Sequence, residues 1–122
     1  MRVTPLEDWI MEKSGINKRE PEMLEKYQIN KIKETLSYAK KNSRFYREKL
    51  SSINEDQINT LGDFSCIPFT FPHDIAHNPF DFLCVPYKEV KRIITITSSG
   101  TTGEEKRIFF TEADLDATVD FF

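Results

Sequence analysis

One run of residues determines the topology of this chain: Ile93-Ile94-Thr95-Ile96-Thr97-Ser98-Ser99-Gly100-Thr101-Thr102-Gly103-Glu104-Glu105-Lys106. The β-branched residues at its start predict a strand over residues 90–97, and a second strand is predicted over residues 106–110. Eight small or polar residues, 98–105, join the two strands as a hairpin. Most hairpin loops have about 2–5 residues, so the extra length indicates a role beyond reversing the chain direction.

The composition of this loop is suited to binding phosphate groups. Gly100 and Gly103 allow positive φ angles and a close approach of the backbone to a ligand. Consecutive turn-like residues can direct several backbone N–H groups into one anion-binding concavity. Further donors are supplied by four hydroxyl groups and one cation, those of Ser98, Ser99, Thr101, Thr102 and Lys106. The loop is not a Walker A motif, because it lacks Gly-Lys-Ser/Thr and leads into a strand. A flexible hairpin tip is the alternative interpretation.

Helices are predicted on both sides of the hairpin. Thr111 and Asp114 have the spacing of a capping box, which predicts a helix directly after the second strand. Near the start, Pro5 opens a short helix that Gly15 ends. A longer helix is predicted over residues 20–40, since its apolar residues recur every three or four positions, at Ile29, Ile32, Leu36 and Ala39.

Shorter elements are predicted between the long helix and the hairpin. Phe45, Tyr46 and Leu50 indicate one helical turn, and a small helix carrying Ile58 and Leu61 is preferred to a capping box between Thr60 and Asp63. Four prolines interleave with phenylalanines after residue 67, which predicts an extended segment with one helical turn over residues 74–77 and a possible strand over 82–85. The aromatic residues of this region are predicted to form a packed core or a subdomain contact rather than a base-stacking surface, namely Phe64, Phe69, Phe71, Phe80 and Phe82.

Composition narrows the class of protein. The 122 residues are 39% hydrophobic and 30% charged, which is typical of one globular domain. A net charge of −3 argues against a dedicated nucleic-acid binder. No apolar run is long enough to span a membrane, and the start resembles no signal peptide, so a cytoplasmic protein without membrane contact is expected. Cys66 and Cys84 are expected to be buried, reduced thiols.

Two other groups of residues, one basic and one of histidines, are interpreted as structural features rather than binding sites. Eight basic residues against two acidic ones occur over residues 26–49, and the exposed face of an amphipathic helix is preferred to an anion-attracting surface. His73 and His77 have the i, i+4 spacing of some zinc sites, but prolines confine the helix to one turn and no third ligand is evident. No metal site is therefore predicted.

The loop, taken with its surroundings, resembles a known family. Ser99-Gly100-Thr101-Thr102-Gly103 followed by Lys106 resembles the phosphate loop of the adenylate-forming superfamily. Ser43-Arg44-Phe45-Tyr46-Arg47 and Ile67-Pro68-Phe69-Thr70 are similar to the N-terminal region of phenylacetate–CoA ligases. The order of the later segments is also similar to this region: Val85-Pro86, residues 90–93, the loop, Phe110-Thr111 and Asp114-Leu115. The resemblance covers residues 25–122 and disfavours the flexible-tip alternative.

This resemblance implies a fold, a reaction and a site. The fold is mixed α/β, part of a large AMP-binding domain, with residues 1–65 mainly helical and residues 66–122 holding the strands, the loop and the start of a helix. The implied reaction activates a carboxylic acid with ATP and Mg²⁺ as an acyl-adenylate and transfers the acyl group to CoA. The implied phosphate ligands are Ser98, Ser99, Gly100, Thr101, Thr102, Gly103 and Lys106. Glu105 stands where many relatives have proline, and we expect it and Glu104 to point away from the phosphates.

No catalytic residue is expected within the chain. The family's adenine contacts, magnesium-binding acid, acyl pocket and catalytic lysine all lie beyond residue 122, and the last helix is cut short at Phe121-Phe122. We therefore expect an N-terminal fragment that is inactive alone, whose partners are a small carboxylic acid and the remainder of the parent chain. Exposed apolar residues would also allow self-association. The alternative is a non-catalytic module, left by truncation, that binds phosphate or a partner.

Overall fold

The computed structural model describes residues 4–16, 20–97 and 103–122. Within these ranges the chain forms helices and one antiparallel pair of strands, and this confirms the mixed α/β class. The helices are α1 (Pro5–Ser14), α2 (Pro21–Asn42), α3 (Arg44–Lys49), α4 (Pro72–His77) and α5 (Glu112–Phe121), and the strands are β1 (Val90–Ile96) and β2 (Lys106–Thr111). Contacts divide the chain into two units, Met1–Ser37 with Asn54–Cys66, and Tyr38–Ile53 with Ile67–Phe122.

Local capping signals set the ends of the first and last helices, as predicted. Gly15 adopts a φ of 69°, and its N–H donates a hydrogen bond to the carbonyl oxygen of Met11, which ends α1. At α5, the carboxylate of Asp114 accepts a 2.8 Å hydrogen bond from the N–H of Thr111, whose hydroxyl accepts one of 3.2 Å from the N–H of Asp114. This capping box starts α5 directly at the end of β2.

The first unit has a small core built around Ile58, which is 1% exposed. Leu36 of α2 is also buried, while Ile29 and Ile32 on the same stripe are half-buried. The preference for a small helix over Ile58 and Leu61 is wrong. The carboxylate of Asp63 instead accepts 2.8 Å hydrogen bonds from the N–H groups of Asn59 and Thr60 and caps a 3₁₀ segment, Leu61–Cys66.

The second unit is organised around a buried serine. The Ser43 side chain is fully buried; its hydroxyl donates a 2.8 Å hydrogen bond to the carbonyl oxygen of Asp81 and accepts one of 3.2 Å from the N–H of Tyr46. The second bond caps α3. Beside it, the ring of Phe82 stacks on Phe45 with centroids 4.2 Å apart and meets the Tyr46 ring edge-on. One hydroxyl group therefore joins two segments that are 38 positions apart.

The possible strand over residues 82–85 is absent from the described structure. Pro79–Phe82 forms a 3₁₀ turn, in which the carbonyl oxygen of Phe80 accepts a hydrogen bond from the N–H of Leu83. Backbone groups used in such local bonds are not available for a strand ladder. The turn also places the Phe82 ring against α3, so local hydrogen bonding and aromatic packing together overrode the strand propensity.

The two strands of the hairpin pair in a continuous register, apart from one shift near the start of β1. Ile96 pairs with Lys106, Ile94 with Ile108 and Arg92 with Phe110, and a register shift lies between Val90 and Arg92. Paired residues share a face of the sheet, and neighbours along a strand alternate between the faces. Lys106 therefore lies on one face of the hairpin and Arg107 on the other.

Lys49 departs from the expectation for the basic stretch. Arg44, Arg47 and several lysines of this stretch are exposed, as predicted, but the Lys49 side chain is only 26% exposed. Its ammonium nitrogen lies 3.5 Å from the carboxylate of Asp74 and over the rings of Phe45 and Phe71. Lys49 thus packs inside a cation–aromatic cluster of the second unit.

The Asp74 carboxylate gives this cluster a pH dependence. A hydrogen bond from the N–H of Phe71, together with Lys49 and His73, lowers the pKa of Asp74 against the opposing effect of desolvation. Because the pKa is lower in the folded state, its stabilising contribution is complete above the unfolded value of about 3.9 and is lost as the pH falls through the folded value.

We expect Asp74→Asn to lower stability at pH 5–7 and to match the unsubstituted chain at strongly acidic pH. Urea unfolding from pH 2.5 to 7 measures this difference. Asp116→Asn, at an exposed position of α5, is the matched control. A stability difference that stayed constant across the whole pH range would contradict the assigned role of the Asp74 charge.

The cysteines differ from the expectation in one respect. Both thiols are free, but Cys66 is exposed and only Cys84 is half-buried. Burial raises the pKa of the Cys84 thiol. The expectation of two buried thiols is therefore wrong for Cys66.

None of the helices in the described part of the chain combines the length and the apolar character needed to cross a membrane.

Candidate phosphate-binding site

Two of the seven predicted phosphate ligands, Gly103 and Lys106, lie in the described part of the chain. Gly103 is exposed just before β2, and Lys106 is the half-buried first residue of that strand. Ser98, Ser99, Gly100, Thr101 and Thr102 lie outside the described residues. The Ile96–Lys106 pair closes the ladder, so both ends of the loop start from neighbouring strand ends. The loop is thus presented by a paired hairpin, as its sequence predicted.

Two acidic and two basic residues follow Gly103, namely Glu104, Glu105, Lys106 and Arg107. Glu104 and Glu105 are exposed, and Glu105 also lines a groove on the hairpin together with Arg107. Among the described residues, no carboxylate forms an ion pair with Lys106 or Arg107. Lys106 was predicted from the sequence and Arg107 was not, although strand alternation alone places the two on opposite faces.

Two grooves of the second unit border the hairpin. One, of about 430 Å³, is largely apolar and is lined in part by Ile75, Val85 and Phe110. The other, of about 400 Å³, mixes polar and apolar groups and lies between β2 and the segment from Ala76 to Asp81. Arg107 lines both grooves, and the second groove also contains the polar side chains of His77 and Asn78.

Most of the predicted aromatic core is exposed. Phe69 is 78% exposed, Phe71 48% and Phe80 52%, so these three rings do not form a packed core. The other predicted role, a subdomain contact, stays a prediction. Thr70 hydrogen-bonds to Tyr46 through their hydroxyl groups, 3.1 Å apart. Because successive side chains of an extended segment point to opposite sides, this contact directs Phe69 and Phe71 outward.

The described residues do not fit a resident metal site. Nowhere in residues 4–16, 20–97 and 103–122 do three or more His, Cys, Asp or Glu side chains come together as metal ligands. The His73 ring stacks on Phe71 at an interplanar angle of 8°, and its Nε2 lies 3.3 Å from the carboxylate of Asp74. His73 thus belongs to the Lys49 cluster.

Solved structures share this fold. Three crystal structures of 2-hydroxyisobutyryl-CoA ligase match 84% of the chain: an open conformation with 2-HIB-AMP and CoA (TM-score 0.71, 21% identity), a postadenylation state with 2-HIB-AMP (0.71, 23%) and a thioesterification state with 2-HIB-AMP and CoA (0.70, 27%). The match covers 25%, 22% and 23% of those chains, so the chain spans about a quarter of their length. No model of a protein family and no curated protein matches the sequence. The fold is that of part of a domain of an adenylate-forming CoA ligase.

Proposed function

We propose that this chain is the N-terminal part of a cytoplasmic, ATP-dependent carboxylate–CoA ligase, in which the hairpin loop holds the phosphates of ATP. The observation that carries the proposal is the structural match to CoA ligases over 84% of the chain. The paired hairpin, whose strands are joined by a loop of phosphate-binding sequence, supports it. The matched structures are described with an acyl-adenylate and CoA, which supports the use of ATP and CoA by the parent protein.

The proposed reaction has two steps. A carboxylate oxygen attacks the α-phosphorus of ATP, and the bond to the leaving pyrophosphate breaks. The thiol of CoA then attacks the acyl carbonyl carbon, and AMP leaves to give a thioester. Mg²⁺ accompanies ATP as part of that substrate.

The role of this chain is to stabilise the pyrophosphate. Backbone N–H and hydroxyl groups of Ser98–Gly103 would donate to its oxygens, and Lys106 would offset part of its charge. Preorganised donors of this kind act where negative charge develops, which is where electrostatic stabilisation is most effective. The position of Lys106 at the start of β2, close after the loop, supports this role.

The phenylacetate–CoA ligase subtype is the finer part of the proposal, and the second unit supports it. The two motifs that carry the resemblance are in contact, through the hydroxyl groups of Tyr46 and Thr70. Ser43 of the first motif is the buried cap of α3. Both motifs therefore belong to the packed part of the second unit, which also contains the hairpin.

We expect the 122-residue chain alone to form no thioester from ATP, CoA and a panel of carboxylic acids. Proximity and orientation supply much of such catalysis, and a phosphate loop alone fixes only one end of ATP. Thioester formation followed by mass spectrometry tests this expectation. Turnover by the isolated chain would contradict it.

The alternative of a non-catalytic module predicts a different gene. Reading the frame past the codon for Phe122 should show adenine-binding and hinge segments if the parent is a ligase. A stop codon at that point would favour the module.

A further inference from the structure

The polar groove on the hairpin has the character of a ligand site. It measures about 400 Å³ and is lined by His77, Asn78, Phe80, Asp81, Glu105 and Arg107, with Ala76 and Pro79 completing its wall. The Phe80 ring lies 5.3 Å from that of Phe109, and this contact fixes the turn against the face of the hairpin that carries Arg107. The groove is therefore built from two elements that pack on each other.

The strand register decides which cation faces this groove. Arg107 pairs with Thr95 and shares its face with Phe109, the residue that contacts the turn. Lys106 pairs with Ile96 and lies on the opposite face. Lys106 is absent from the lining of the groove, so Arg107 is its cation.

The charged groups that line this groove are of both signs. Asp81 already has a cationic neighbour, since its carboxylate lies 3.9 Å from the guanidinium of Arg44. Arg107 forms no ion pair with any carboxylate that the structure describes. Asp81 and Glu105 are the opposing charges, because both line the same groove.

We propose that this groove is a phosphate subsite and that Arg107 binds an oxyanion of a polyphosphate there, next to the hairpin loop. A guanidinium presents two parallel N–H donors to phosphate, which an ammonium cannot do. The imidazole of His77 and the amide of Asn78 add donors along the same wall. Asp81 and Glu105 weaken the site by like-charge repulsion, so the subsite would bind a released pyrophosphate only moderately.

This inference rests on the proposed function, and calorimetric titration with inorganic pyrophosphate at low salt separates the two. Arg107→Gln is expected to weaken binding about tenfold, the effect of losing a charge-assisted hydrogen bond. Glu105→Gln is expected to tighten it about threefold. Arg92→Gln is the matched control, because Arg92 is an exposed arginine of the same hairpin that lies outside this groove.

Each outcome has one meaning. Weaker binding by Arg107→Gln with unchanged binding by Arg92→Gln supports the subsite. Equal binding by Arg107→Gln and the unsubstituted chain overturns the subsite and leaves the proposed function standing. Equal losses in both arginine variants, or weaker binding by Glu105→Gln, also overturn the subsite. Failure of the unsubstituted chain to bind pyrophosphate contradicts the proposed function itself.

Discussion

Leu50→Ala is expected to lower the free energy of unfolding by about 2–5 kcal/mol, the usual cost of deleting a buried leucine side chain. Leu50 is 2% exposed, and its N–H donates a 2.9 Å hydrogen bond to the carbonyl oxygen of Tyr46 at the end of α3. Truncation leaves a cavity in the second unit, which carries the hairpin. Domains of this size are stable by about 5–15 kcal/mol, so the loss is a large share of the total.

Urea unfolding followed by circular dichroism measures the effect of Leu50→Ala. Val119→Ala is the control, because Val119 lies on α5 and is 76% exposed. Exposed substitutions usually change stability by less than about 0.5 kcal/mol. If Leu50→Ala were as mild as this control, the packing assigned to the second unit would be wrong.

Replacing residues 97–105 by Asn-Gly is expected to weaken pyrophosphate binding strongly and to leave the hairpin folded. Ile96 and Lys106 are paired, so a two-residue type I′ turn can join them directly, and Asn-Gly is the preferred sequence for that turn. The variant keeps Lys106 and both strands but loses the amide and hydroxyl donors of the loop. We therefore expect at least a tenfold loss of affinity by calorimetry.

A shuffled loop controls for charge in this experiment. The same nine residues in another order keep the composition and the net charge, yet the glycines no longer hold their positions. Because an anion-binding concavity depends on the order of backbone conformations, the shuffled loop should also lose binding. Unchanged affinity in the Asn-Gly variant would show that pyrophosphate binds elsewhere.

Local signals explain why much of the fold was predictable. Pro5 and Gly15 act within a few residues of the ends of α1, and Thr111 and Asp114 bond to each other at the start of α5. The β-branched run of β1 and the length of the hairpin loop are equally local. Interactions between near neighbours can be read from sequence because they depend little on the rest of the fold.

Long-range contacts explain the errors. The propensity of residues 82–85 for a strand was overridden by the stack of Phe82 on Phe45 and by the hydrogen bond from Ser43 to the carbonyl oxygen of Asp81. The exposure of Phe69 depends on the bond between Thr70 and Tyr46, 24 positions away. Neither partner can be identified from the local sequence.

Only the local part of the candidate site was predictable, because its remainder depends on long-range packing. Lys106 was identified by its spacing from the loop, but the groove beside Arg107 requires Ala76–Asp81 to pack against β2. That packing depends on the contact between Phe80 and Phe109, which lie 29 positions apart in the sequence. The spacing after the loop was enough to identify Lys106. The alternation of side chains along β2, which distinguishes Arg107 from Lys106, was not applied to the sequence.

Amide chemical shifts during a pyrophosphate titration show directly whether the hairpin loop binds phosphate. The ¹⁵N-labelled chain has 122 residues, which suits two-dimensional NMR. If the loop binds the polyphosphate of a nucleotide, the amides of Ser98–Gly103 should show the largest chemical-shift changes. Smaller changes are expected for Lys106 and Arg107. Shifts confined to the basic stretch of residues 26–49, or none at all, would contradict the account.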